Sequence, residues 1–103
     1  MDLIKISSAS NPLIKLLRSL HNKKGRQKEN SVILEGFRLV NDAVESRAKI
    51  KYYIINESFS EKNLTLLKKF PEAKIYLLPD ELFKKVCETD NPQGIIAVSE
   101  LPV

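Results

Sequence analysis

The sequence predicts an α/β domain with a largely parallel sheet and helices on its faces. Three observations carry that expectation. Short runs of β-branched and aromatic residues alternate with amphipathic segments along the chain. Those runs lack a polar–apolar alternation, as expected of strands covered on both sides. The 103 residues, 43% apolar and 29% charged, make one globular domain of ordinary composition with a single core.

Asn11-Pro12 opens the first helix, since Asn is a good N-cap and Pro at the first helical position needs no amide partner. Leu13, Leu16, Leu17 and Leu20 follow as one apolar stripe, with Lys15 and Arg18 sharing a different face. Gly25 breaks the pattern, and "KKGRQK" (23–28) reads as a basic loop almost without apolar content. "SVILEG" (31–36) is a short buried strand ending in a strand-to-helix turn at Gly36. "FRLVNDAVES" is a second amphipathic helix, apolar at Phe37, Val40, Ala43 and Val44, with Arg38, Asn41, Asp42 and Glu45 outward. "IKYYIIN" (50–56) is the second strand. Ser58-x-x-Glu61 fits a capping box for a helix carrying Leu64, Leu67 and Phe70 and closed by Pro71. "AKIYLLP" (73–79) is the third strand, Asp80 caps a short helix with Leu82, Phe83 and Val86, and "NPQG" (91–94) turns into a fourth strand, "IIAVSE".

Few residues invite chemistry. His21 is the single histidine and Cys87 the single cysteine, with no spacing that suggests a nucleophile–base pair. His21 reads as a surface residue with some phosphate contact, Cys87 as a small core residue. No His/Cys/Asp/Glu cluster has metal-ligand spacing, and three scattered glycines form no phosphate loop. No catalytic, cofactor-binding or metal residue is therefore expected. No stretch is long and apolar enough to span a membrane, no signal peptide is visible at the start, and a lone cysteine suits a reducing, cytoplasmic setting.

Charge is the outstanding feature. The net charge is +4, but residues 1–28 carry +6 and residues 29–103 carry −2. A basic end on a mildly acidic body points to a polyanion. Lys23, Lys24, Arg26 and Lys28, extended by Lys15, Arg18 and Arg38, form the candidate surface, which would neutralise phosphates with little sequence selectivity. The alternative is a solvated connection. Arg38 in a first helical turn opposes the helix dipole, so it is held either by Glu35 or Asp42 or by a phosphate.

Four segments, "SASNPLIKLLRSL", "KKGRQKE", "VILEGFRLVNDAV" and "NPQGIIAV", occur in an order and spacing that resemble the N-terminal substrate-binding domain of SpoU-type (TrmH-like) RNA 2′-O-ribose methyltransferases. These belong to the superfamily with a trefoil-knotted catalytic domain. The resemblance runs from about Ile6 to Val98. It implies a three-layer α/β/α sandwich with a central four-stranded, mostly parallel sheet, like the kink-turn-binding ribosomal proteins. It further implies that the domain holds structured RNA, ribosomal before transfer RNA, for S-adenosylmethionine-dependent ribose methylation by a catalytic domain absent from these residues. The family's basic element maps onto Lys15, Arg18, Lys23, Lys24, Arg26 and Lys28, and its E-G-x-R stretch places Arg38. Asn91 stands where many relatives have Thr. "LPV" at 101–103 reads as the start of a linker to the missing domain, through which the parent protein would dimerise while this domain alone stays monomeric. Three rival readings are a free-standing ribosome-associated RNA-binding module, a protein–protein interaction domain whose basic loop meets an acidic partner, and a self-sufficient methyltransferase, disfavoured because the sequence offers no candidate cofactor site.

Overall fold

A computed structural model describes residues 3–70 and 74–102. Among these, the elements run β1 (Leu3–Lys5), α1 (Pro12–Ser19), α2 (Lys23–Glu29), β2 (Ser31–Glu35), α3 (Phe37–Glu45), β3 (Ile50–Asn56), α4 (Glu57–Lys62), α5 (Leu64–Leu67), β4 (Lys74–Leu78), α6 (Asp80–Val86) and β5 (Ile95–Glu100). The sheet order is β1-β4-β3-β5-β2. Four strands share one direction, and β5 runs against both its neighbours. The mostly parallel α/β/α sandwich is as expected, but the described sheet has five strands, not four. The extra strand, Leu3–Lys5, is three residues long, too short for any pattern, and is defined only by its pairing with Ile75–Leu77.

The core lies in two layers because the central strands are apolar on both faces. Along β3, Tyr53 and Ile55 point to one side and Ile54 to the other, all fully buried. Ile54 joins Ile14, Leu17 and Leu20 of the α1 segment and Phe83 and Val86 of α6. Tyr53 and Ile55 join Val40 of α3, Phe59 of α4 and Leu67 of α5. Tyr53 also stacks on Phe70, ring centres 4.9 Å apart. The deep stripe of α1 is Ile14, Leu17 and Leu20, while the expected Leu13 and Leu16 are only partly buried.

Several local expectations are corrected. Residues 23–28 are not a loop but most of helix α2, capped by Asn22, whose Oδ1 accepts from Gly25 N at 2.9 Å, and ended by Asn30 in the left-handed conformation. Ser58 does not cap α4. Asn56 does, its Oδ1 accepting from Phe59 N at 2.8 Å. Asn63 breaks the expected single helix into α4 and α5. Pro79, not Asp80, occupies the cap position of α6. Pro71 and Ala73, the expected helix stop and strand start, lie outside the described residues.

Asp80 and Ser58 find each other instead. The Asp80 carboxylate accepts from the Ser58 amide at 3.1 Å and from the Ser58 hydroxyl, joining α6 on one face of the sheet to α4 on the other. The Ser58 bonds hold the Asp80 carboxyl below its ordinary range. A carboxyl so lowered stabilises the fold above the unfolded pKa, about 3.9 for Asp, and that stabilisation is lost as pH falls below it. Asp80→Asn should therefore melt below the parent protein at neutral pH, and the gap should close in acid. Thermal melts along a pH series check this, and a gap independent of pH would contradict it.

Candidate nucleic-acid interface

The basic segment is held by backbone packing rather than by an apolar stripe. α2 has no buried residue. It leans on the end of α1 at Gly25, where any Cβ would run into the backbone carbonyl of Ser19. Arg26 turns inward, its guanidinium donating to the Leu20 carbonyl at 3.1 Å. Lys51, which the sequence did not single out, closes the other end by donating to the Glu29 carbonyl at 3.0 Å and to Ser31 Oγ at 2.7 Å. Arg26 and Lys51 are thus engaged in fixing α2.

Lys15 and Arg18 on α1 and Lys23, Lys24 and Lys28 on α2 are exposed. None has a carboxylate within ion-pair distance among the described residues. Lys23 and Lys24 lie in the first turn of α2 with no acidic residue beside them, where the helix dipole disfavours positive charge. Five of the six predicted α1–α2 cations are thus exposed, and Arg26 is instead turned onto a backbone carbonyl.

Arg38 lies elsewhere, on the first turn of α3, but a chain of contacts connects the two places. His21 at the α1–α2 corner bonds the Val86 carbonyl through Nε2 at 2.8 Å, and its Nδ1 lies 3.8 Å from the Glu88 carboxylate. The Glu88 amide donates to Glu35 Oε2 at 2.9 Å, at the end of β2 and directly before α3. The other oxygen, Glu35 Oε1, is buried without a hydrogen-bond partner, with Cys87 beside it. Burial first, and the Glu35 carboxylate second, push the Cys87 thiol up to about 12, so it is no thiolate nucleophile at neutral pH. Neither Glu35 nor Asp42 pairs with Arg38, which is exposed and free of ion pairs among the described residues.

The same geometry explains why the E-G-x-R and P-Q-G stretches belong together. Gly36 sits at φ +96° in the cap position of α3 and has no side chain to serve the helix amides. Gln93 serves them from across the chain, its Oε1 accepting from Phe37 N at 2.7 Å. NPQG runs as an irregular connection with bends at Asn91 and Gly94 rather than as a hydrogen-bonded turn, and Gln93 is the residue the reading missed. No local pattern could have shown a cap supplied by a residue 56 positions away. Between these stretches is an open depression of about 320 Å³, with Arg38, Leu39, Pro92 and Gln93 among its walls.

Residues 11–97 match the MRM3-like substrate binding domain, and the chain belongs to that family. It is 35% identical over 100 residues to the 23S rRNA (guanosine(2553)-2′-O)-methyltransferase RlmP of Bacillus subtilis, covering 95% of this chain and 38% of that protein. It is 33% identical over 98 residues to an uncharacterised tRNA/rRNA methyltransferase of Synechocystis, covering 93% of this chain and 36% of that one. The fold matches an AdoMet-bound rRNA methyltransferase from Sinorhizobium meliloti, with TM-score 0.76 at 25% identity over 97% of this chain and 37% of that one. It also matches an RNA 2′-O ribose methyltransferase structure with TM-score 0.82 at 24% identity, over 96% of this chain and 38% of the other. The chain thus spans less than two-fifths of the length of these relatives.

The two glycines at positive φ are faced by side chains, Gly36 by Gln93 and Gly94 by Asn56 and Phe59. Among the described residues no group of three His, Cys, Asp or Glu side chains is placed to hold a metal ion, and no helix is long and apolar enough to cross a membrane.

Proposed function

We propose that this domain holds structured RNA, ribosomal before transfer RNA, for methylation of a ribose 2′-hydroxyl with S-adenosylmethionine by a second domain of the parent protein. In this reading Lys15, Arg18, Lys23, Lys24, Lys28 and Arg38 contact phosphates, and cofactor binding, methyl transfer and dimerisation lie outside residues 1–103. The observation that carries it is the set of exposed cations on two consecutive helices, unpaired among the described residues, two of them in a first turn where the dipole opposes them. Cations kept there add nothing to the helix, whereas a phosphate gains from each of them. Membership of a substrate-binding-domain family supports the same reading. The broad basic surface suits the A-form geometry and 2′-hydroxyls of folded RNA better than a B-form duplex.

A titration of the domain against a folded 23S ribosomal RNA fragment, at two salt concentrations and with duplex DNA of equal length as control, tests this. Salt-sensitive binding that prefers the folded RNA is expected. Equal, weak binding to both would overturn it and return the cations to a solvated face or an acidic protein partner.

A further inference from the structure

The depression beside α3 carries a second feature that phosphate binding alone leaves unexplained. Leu39 on its wall is 52% exposed, one of three large apolar side chains left so open among the described residues. Gln93, on the same wall, is an oriented group. Its Oε1 is committed to Phe37 N, so its amide cannot be flipped without setting two donors against each other. Its Nε2 is therefore a fixed donor, and it has no hydrogen-bond partner among the described residues. Arg38 adds an exposed guanidinium without an ion pair among the described residues. One small depression thus combines an apolar platform, a donor of fixed polarity and a free cation. These three match the parts of a single nucleotide: a flat apolar base face, a ring nitrogen or carbonyl acceptor, and a phosphate. Its volume, about 320 Å³, is at the small end of ligand pockets.

We infer that the depression takes up one unpaired nucleotide of the bound RNA. The base packs against Leu39 and Pro92, a base acceptor receives Gln93 Nε2–H, and Arg38 bears on the phosphate. This rests on the RNA-holding role proposed above and adds to it a point of base recognition on an otherwise sequence-blind surface.

Gln93→Glu separates the two jobs of this side chain. A carboxylate still accepts from Phe37 N, at a helix N-terminus that favours negative charge, so the melting temperature should hold or rise. The free atom, however, changes from donor to acceptor. Leu39→Ala, at an exposed position, is the second variant. Each is titrated against a folded 23S rRNA stem–loop and against copies in which each loop nucleotide in turn is abasic. Gln93→Glu should weaken binding to the intact RNA about tenfold, the scale of one hydrogen bond exchanged for a clash of acceptors. The penalty of Leu39→Ala should vanish, and that of Gln93→Glu should shrink to the repulsion between its new carboxylate and the RNA phosphates, on the RNA that is abasic at one particular position. Penalties identical on every abasic copy, or none at all, would overturn the nucleotide subsite while leaving the RNA-holding role intact. Failure of the unmutated domain to bind any of these RNAs would overturn both.

Discussion

Gly94→Ala is expected to bring the domain close to unfolding. Gly94 has φ +99°, where an L side chain is strained by about 1–2 kcal/mol. A Cβ there would come 2.5 Å from Asn56 Oδ1 and 2.9 Å from the Phe59 Cβ. Both neighbours belong to packed elements, so overpacking adds about 1–3 kcal/mol. Displacing Asn56 also removes the cap of α4, about 1 kcal/mol more. The sum, roughly 3–6 kcal/mol, is a large part of the 5–15 kcal/mol that holds a typical domain together. Urea denaturation followed by circular dichroism measures it, and a loss under about 1 kcal/mol would contradict this account of the turn. Gly36→Ala should be milder in contact terms, because the nearest atom to its Cβ, at 3.1 Å, is the end of the Gln93 side chain.

The triple variant Lys23→Ala, Lys24→Ala, Lys28→Ala should bind folded RNA about 10- to 100-fold more weakly at moderate salt, and flatten the slope of log affinity against log salt by about 2–3. These lysines are exposed and make no ion pair among the described residues, so the melting temperature should stay nearly constant. Arg26→Ala should behave in the opposite way, lowering the melting temperature through loss of its bond to the Leu20 carbonyl. Anisotropy titrations paired with thermal melts separate these outcomes. A melt that collapses in the lysine variant would make α2 a structural element first, and an unchanged salt slope would remove it from the RNA surface.

How much of this was legible in the sequence depends on the range of the interactions involved. Strands such as Ile50–Asn56 and the Asn11-Pro12 helix start were readable because burial on two faces and N-capping leave local patterns. Helix α2 left none. It buries no side chain, and what fixes it is the fit of Gly25 against Ser19 and the reach of Arg26 and Lys51 to carbonyls. Ser58-x-x-Glu61 satisfied a capping pattern, yet Asn56 stood at the true end of the strand and took the role. Strand β1 is too short to have a period. Within the candidate site, the charge asymmetry exposed the cations, but it could not separate Arg26, which bonds a carbonyl, from Lys24, which does not. The roles of Gln93 and Glu88 arise only when β2 and the 87–94 loop meet.

The central claim is that the α1–α2 corner and the start of α3, which pack on opposite faces of the sheet, both contact RNA. Amide chemical-shift mapping of the labelled domain, titrated with a folded 23S rRNA stem–loop, tests it most directly. The account predicts shifts concentrated at residues 15–28, 36–39 and 91–94 rather than on α4 and α5, which share the sheet face of α3. Shifts gathered on α4 and α5, or none at saturating RNA, would contradict it.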